Sequence, residues 1–139
     1  KVRTEETLPM SMESYMGRGE PILVVDDVSE QREIASVLLR RLGYQVETVA
    51  SGEAALERVR KSPPALVVLD MIMDPGMDGL ETYRKLLAIN PGQRAIIASG
   101  YSESDKVRAA LRLGAGAYLK KPYLLEKIGR AVRDELDRG

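Results

Sequence analysis

Ile22-Leu23-Val24-Val25-Asp26-Asp27 is an apolar run of strand-forming residues that stops on two carboxylates. Three more runs stop in the same manner. Ala65-Leu66-Val67-Val68-Leu69 ends on Asp70, Ala95-Ile96-Ile97-Ala98 on Ser99, and Ala117-Tyr118-Leu119 on Lys120-Lys121-Pro122. Unbroken runs of this length, rich in Val and Ile, mark parallel strands buried on both faces. In an open parallel sheet, ligands bind beyond the carboxyl ends of the strands, where the strand order reverses. Three carboxylates, a hydroxyl and an ammonium are therefore expected to converge in one crevice.

Helical patterns fill the spaces between these runs. Ser29-Glu30-Gln31-Arg32 reads as an N-cap and first turn, and Ile34, Val37, Leu38 and Leu42 recur at helical spacing until Gly43. Gln45-Val46-Glu47-Thr48-Val49 alternates as a half-exposed strand at a sheet edge does. Ser51-Gly52-Glu53 opens a second helix with Ala54, Ala55, Leu56 and Val59, closed by Pro63-Pro64. A third follows Gly79 with Leu80, Tyr83, Leu86 and Leu87, and ends near Asn90-Pro91-Gly92. Ser102-Glu103-Ser104-Asp105 reads as the capping box of a fourth, carrying Val107, Ala110 and Leu111 and stopped by Gly114. The fifth is expected from about Tyr123 to Asp137, with Leu124, Ile128, Val132 and Leu136 inward. Strands alternating with helices predict right-handed βαβ units. The fold class is α/β: a (βα)5 doubly wound parallel five-stranded sheet, in the flavodoxin-like order 2-1-3-4-5. The domain is expected over residues 20–139. Residues 1–19, with Pro9, Gly17, Gly19 and no sustained period, read as a linker or flexible tail, or as a short docking segment built on Met10, Met12 and Met16. A first residue of Lys rather than Met predicts a piece of something longer, or a processed chain.

The 139 residues suffice for one domain with a real core. The formal net charge is zero and there is no basic tract, so no direct nucleic-acid contact is expected. No apolar stretch approaches the roughly 18 residues of a membrane span; no signal peptide and a cytoplasmic setting are expected. The chain has no Cys and no His. Disulfides, thiolate chemistry, His-ligated zinc, Ser-His-Asp catalysis and a phosphohistidine on this segment are thereby excluded.

What remains is oxygen and nitrogen chemistry. A carboxylate at a strand end, Asp70, can attack a phosphoryl group and become an aspartyl phosphate. Two approaching anions need charge compensation, and phosphoryl transfer is catalysed mostly by positioning and electrostatic stabilisation of the equatorial oxygens. Asp26, Asp27 and Asp70 offer hard oxygen ligands, which suit Mg²⁺. Lys121 supplies a mobile ammonium that can pair with the nucleophile and then with the phosphate, and Ser99 a hydroxyl for a phosphoryl oxygen. Each has a bland reading as well. Paired aspartates complement a helix dipole, a strand-end Asp or Ser starts a turn, and Lys-Lys-Pro is a solvated turn. Those readings do not predict that all four fall at the ends of successive buried strands.

The stretch from Pro21 to Arg138, with ILVVDD, LVVLD followed by PGMDG, IIASG and GAGAYLKKPY, resembles response-regulator receiver domains of two-component signalling. The resemblance implies that Asp70 is the phospho-acceptor, that Asp26 and Asp27 hold Mg²⁺, and that the Ile72 carbonyl is a further ligand. It implies that Ser99 and Lys121 contact the phosphoryl group and that Tyr118 is the rotameric switch aromatic. It places Ile72 and Tyr101 beside the path of the hydrolytic water. The implied partner is a histidine kinase or histidine phosphotransfer domain. Slow self-dephosphorylation and self-association through the face of the fourth helix, fifth strand and fifth helix are also implied. One departure stands out: Pro75 lies five residues after Asp70 rather than the family's four, with Asp74 as the extra residue.

Three other readings compete. A haloacid-dehalogenase-like phosphatase needs a second acid two residues after its nucleophile, where this chain has Ile72. An FMN binder needs Ser, Thr and Gly after the first strand, not Asp-Asp. A phosphorylation-independent interaction module is opposed by the intact set of Asp, Asp, Ser and Lys. For context, the carboxyl-terminal receiver of a hybrid sensor histidine kinase and a single-domain regulator both fit, and the style of the PGMDGLETYR segment favours the hybrid.

Overall fold

The structure, a computed structural model, describes residues 12–73, 76–100 and 104–138. Strands β1 (Pro21–Val25), β2 (Gln45–Val49), β3 (Leu66–Asp70), β4 (Ala95–Ser99) and β5 (Tyr118–Lys120) alternate with helices α1 (Ser29–Arg41), α2 (Gly52–Lys61), α3 (Gly79–Ile89), α4 (Asp105–Arg112) and α5 (Leu125–Asp137). The strands form one sheet in the order β2-β1-β3-β4-β5, and every pair is parallel. This is the expected (βα)5 arrangement.

Alternate residues of the central strands bury on opposite faces, which is why their runs are apolar throughout. Leu23, Val25, Val67, Leu69 and Ile97 join Ala55, Val59, Tyr83, Leu86 and Val107 in one core, beneath α2, α3 and α4. Ile22, Val24, Leu66, Val68 and Ile96 join Ala35, Leu39, Leu42, Ile128 and Val132 in the other, beneath α1 and α5. Strand β2 lies at the edge, with Gln45 and Glu47 exposed and Val46 buried. Gly43 and Gly114 take left-handed backbone, at φ +98° and +118°, directly after α1 and α4, where a side chain would be strained. No helix among the described residues is long and apolar enough to cross a membrane.

Several local expectations are corrected. Helix α1 buries Ala35, Ser36 and Leu39, while Ile34 and Val37 are 42% and 53% exposed. Ala35, Ser36 and Leu39 thus take the inward places expected of Ile34 and Val37, whereas Leu42 is buried and Leu38 packs against the core as expected. Its N-cap is Val28, which has no side-chain cap; the preceding Asp26 Oδ1 accepts from Val28 N instead, at 3.0 Å. Ser104 rather than Ser102 caps α4, accepting from Val107 N at 3.3 Å; Ser102 and Glu103 lie outside the described residues. Helix α5 starts at Leu125, and Leu124 points outward.

Of the segment read as a tail, Met12–Tyr15 form a short 3-10 turn and the chain up to Gly19 is packed on the domain. Tyr15 is buried, its ring lying against Leu42 and filling the space left by the missing Cβ of Gly129 on α5. Gly17 N donates to Leu42 O and Gly19 N to Gly43 O, at 2.7 and 2.8 Å. Arg133 donates to Met16 O at 3.3 Å and pairs with Glu20 at 3.1 Å. Met10 and residues 1–11 as a whole lie outside the described residues.

Candidate functional site

The parallel register brings the four polar strand ends to one edge of the sheet. Asp70 and Ser99 are the last residues of β3 and β4, Asp26 and Asp27 follow β1, and Lys121 follows β5. Backbone bonds fix their relative heights: Asp26 N donates to Val49 O at 3.2 Å and Lys121 N to Ser99 O at 2.8 Å. Asp26, Ser99 and Asp70 are buried, at 0%, 2% and 4% exposure, whereas Asp27 is exposed. Lys121 Nζ lies between two carboxylates, 2.7 Å from Asp26 Oδ2 and 3.4 Å from Asp70 Oδ1. Asp70 Oδ1 also accepts from Ile72 N at 3.4 Å. Above them opens a cleft of about 480 Å³ lined by Asp27, Val28, Gln31, Asp70, Ile72 and Lys121, with Gly100 and Pro122 at its side.

Burial pushes the Asp70 carboxyl up to about 6, and the neighbouring Asp26 anion adds to the rise; Lys121 and the Ile72 N–H oppose it without cancelling it. A carboxylate held this far above its ordinary range asks for a cation. Asp26, Asp27 and Asp70 each offer an oxygen, and these three atoms lie within 4.8 Å of one another. An all-oxygen, all-anionic donor set with an open side toward water fits Mg²⁺, which takes one or two carboxylates and keeps several waters.

A family profile, the response regulator receiver domain, matches residues 22–133, with all five strand ends inside it except the start of β1. The chain belongs to that family. As a receiver domain it is similar to the sporulation initiation phosphotransferase F of Bacillus subtilis (strain 168), 38% identical over 117 residues, which cover 84% of this chain and 94% of that protein. The transcriptional regulatory protein ZraR of Escherichia coli (strain K12) is 42% identical over 115 residues, 83% of this chain but 26% of that protein. The chain likewise spans 52% of the probable transcriptional regulatory protein TcrX of Mycobacterium tuberculosis. Among solved structures, a CheY-like receiver domain protein from Methanospirillum hungatei JF-1 superposes with a TM-score of 0.80 at 28% identity, over 86% of this chain and 94% of that one. Receiver domains are phosphoacceptors that bind Mg²⁺ at an acidic pocket and interact with histidine kinases or phosphotransfer proteins.

The register brings Asp26, Asp27, Asp70, Ser99 and Lys121 to one edge of the sheet, and Ile72, two residues beyond the end of β3, lines the cleft. Tyr118 stands at the start of β5, paired with Ile97 and half-buried against the α2–α4 core. Tyr101, Asp74 and Pro75 lie outside the described residues. Three contributors went unread in the sequence. Arg32 Nη1 donates to Asp26 O at 2.8 Å and fixes the turn that presents both aspartates. Gln31 lines the cleft with a buried amide oxygen that has no hydrogen-bond partner among the described residues. Tyr123 lies under Lys121. Arg32 and Gln31 looked like an ordinary solvated first turn, and only the helix phase reveals that they face the site.

Proposed function

We propose that Asp70 accepts a phosphoryl group from a phosphohistidine on a kinase or phosphotransfer protein. The observation that carries this is Lys121 Nζ, bridging Asp26 and Asp70 at the head of the parallel sheet. An Asp70 carboxylate oxygen attacks phosphorus in line with the imidazole nitrogen. The P–N bond breaks as the O–P bond forms, and the departing imidazole nitrogen ends protonated. Asp26, Asp27, Asp70 and the Ile72 carbonyl are the proposed holders of Mg²⁺, which when bound compensates the charge of the incoming phosphoryl oxygens. Lys121 turns from Asp26 toward a phosphoryl oxygen, and Ser99 gives its hydroxyl to another.

Val28 and Ile72, which line the cleft, and Leu124 beyond Pro122 are all about half exposed and give the mouth an apolar rim suited to a helix that carries the phosphohistidine. Output follows from charge: a phosphoryl group adds roughly −1.5 to −2 charges, which draws Ser99 inward and lets Tyr118 follow. The surface altered is that of α4, β5 and α5, through which self-association would pass. By their side-chain chemistry, apolar Ile72 and aromatic Tyr101 orient a hydrolytic water poorly and partly exclude it, so the phosphorylated state is long-lived. The relative named as a phosphotransferase, of which this chain covers 94%, supports a relay role, which we place in the cytoplasm. The carboxyl-terminal receiver of a hybrid kinase and a single-domain regulator are the two settings that this role fits. The test is transfer from a histidine phosphotransfer protein labelled on its histidine: label should pass to this chain and not to Asp70→Asn. Equal transfer to that variant overturns the reading.

A further inference from the structure

Helix α1 and the edge strand β2 enclose a pocket of about 290 Å³, lined by Ser29, Arg32, Glu33, Ser36 and Arg40 of the helix and Thr48 of the strand. It has no lining residue in common with the phosphorylation cleft. The five helical residues fall on one face of α1. Both arginines are held in place by main-chain oxygens. Arg32 Nη1 donates to Asp26 O at 2.8 Å, and Arg40 Nη2 donates to Val46 O at 3.0 Å. A guanidinium carries five N–H donors in a rigid fork, so each arginine keeps donors to spare at a fixed place.

The hydroxyls are unspent. Ser36 is only 5% exposed, yet its hydroxyl makes no hydrogen bond to any described residue. A serine inside a helix commonly turns back onto the carbonyl four residues earlier, and this one does not. An alanine would give α1 the same close approach to the sheet without an idle polar atom, so packing does not explain the hydroxyl. Ser29 does not cap its helix either, since the N-cap is Val28 and the helix start has no side-chain cap. Against two arginines the lining sets one carboxylate, that of exposed Glu33. Guanidinium forks joined by hydroxyls are the chemistry that recognises phosphate oxygens. A planar carboxylate answers one fork, whereas a tetrahedral oxyanion can face both and the hydroxyls together.

We propose that the α1–β2 pocket binds a small phosphate-class oxyanion, as the free ion or as the phosphate group of a small ester, with Arg32, Arg40 and Ser36 as its donors. The site stands apart from Asp70 and does not depend on the phosphoacceptor reading. Through Arg32 it shares a residue with the turn that presents Asp26 and Asp27.

The test is titration of the full chain with inorganic phosphate in chelator, followed by amide chemical shifts. Amides of residues 29–40 and of Thr48 should shift together and saturate in the low millimolar range, and sodium chloride at equal ionic strength should not move them. Ser36→Ala should weaken binding about fivefold and Arg40→Gln about tenfold. Glu33→Gln removes the opposing charge and should tighten binding about twofold. Ser36→Ala and Glu33→Gln are both compatible with a helix, so their opposite signs separate ligand binding from loss of structure. Glycerol 3-phosphate distinguishes the sources: equal binding points to a phosphorylated small molecule, and binding of the free ion alone points to inorganic phosphate. Shifts that do not saturate, shifts confined to the surroundings of Asp70 and Lys121, or an affinity unchanged in Ser36→Ala and Glu33→Gln alike overturn the inference.

Discussion

Replacing Asp70 with Asn should make the resting protein more stable at neutral pH. The substitution keeps the side-chain shape and removes a buried negative charge that lies next to Asp26. The cause can be put on a scale. Burial and Asp26 raise the Asp70 carboxyl from its ordinary value near 3.8 to about 6, and a rise of that size corresponds to about 3 kcal/mol between the protonation states. The cleft above Asp70 is open to water, which screens part of this, so about 1–2 kcal/mol is expected. The sign follows from proton linkage. Between about pH 4 and 6 the folded chain holds a proton on Asp70 that the unfolded chain has released, so wild-type stability falls as pH rises through that window. The Asn variant lacks this slope. At pH 7.5 in chelator it should melt about 3–8 °C above wild type, and below pH 4 the difference should vanish. Saturating Mg²⁺ should reverse the order, because a cation that binds the folded wild type stabilises it in proportion to its affinity. Thermal unfolding followed by circular dichroism across pH 3.5–7.5 checks all three arms. An Asn variant less stable than wild type in chelator at pH 7.5, or a gap that does not change with pH, refutes the reasoning.

Three further outcomes are expected. Tyr15→Ala should cost about 2–4 kcal/mol, since a buried aromatic is lost from the α1–α5 side; Gly129→Ala should destabilise wild type but do little in the Tyr15→Ala background, as a double-mutant cycle in urea will show. Amide chemical shifts compared with and without beryllofluoride should change along residues 99–125, and changes confined to the surroundings of Asp70 would refute coupling through Ser99 and Tyr118. Ile72→Asn combined with Tyr101→Glu should speed first-order loss of phosphate several-fold, because each new side chain can orient a water; an unchanged rate removes the basis for a long-lived state.

The sheet and the convergence of Asp26, Asp70, Ser99 and Lys121 were legible because burial on both faces leaves an unmistakable signature: an apolar run with no alternation, ending where the polar edge begins. Strand ends in parallel register need no further information to meet. Helix phase was less legible. Ile34 and Val37 are as apolar as Leu38 and Leu39, and nothing local says that Ala35 and Ser36, small enough for close approach to the sheet, turn inward instead. The cap of α1 was misread because Ser29 has the right chemistry, while Asp26, whose carboxylate serves the turn, was already read as part of the site. The docking of Met12–Gly19 depends on absences, the missing side chains at Gly129 and Gly17, and a gap becomes meaningful only when Tyr15 and Tyr44 are seen to fill it. Tyr123 reads as the start of α5, but the helix begins at Leu125 and the Tyr123 ring lies under Lys121, a placement that only the three-dimensional path of the chain reveals.

The central claim is that Asp70 becomes phosphorylated with the help of Mg²⁺, and intact-mass spectrometry tests it most directly. After incubation with acetyl phosphate and Mg²⁺, wild-type protein should gain the mass of one phosphoryl group, lost again on mild alkaline treatment as an acyl phosphate is. The gain should be absent in excess chelator and absent in Asp70→Asn. An equal gain in the Asn variant, or one indifferent to the chelator, contradicts the account.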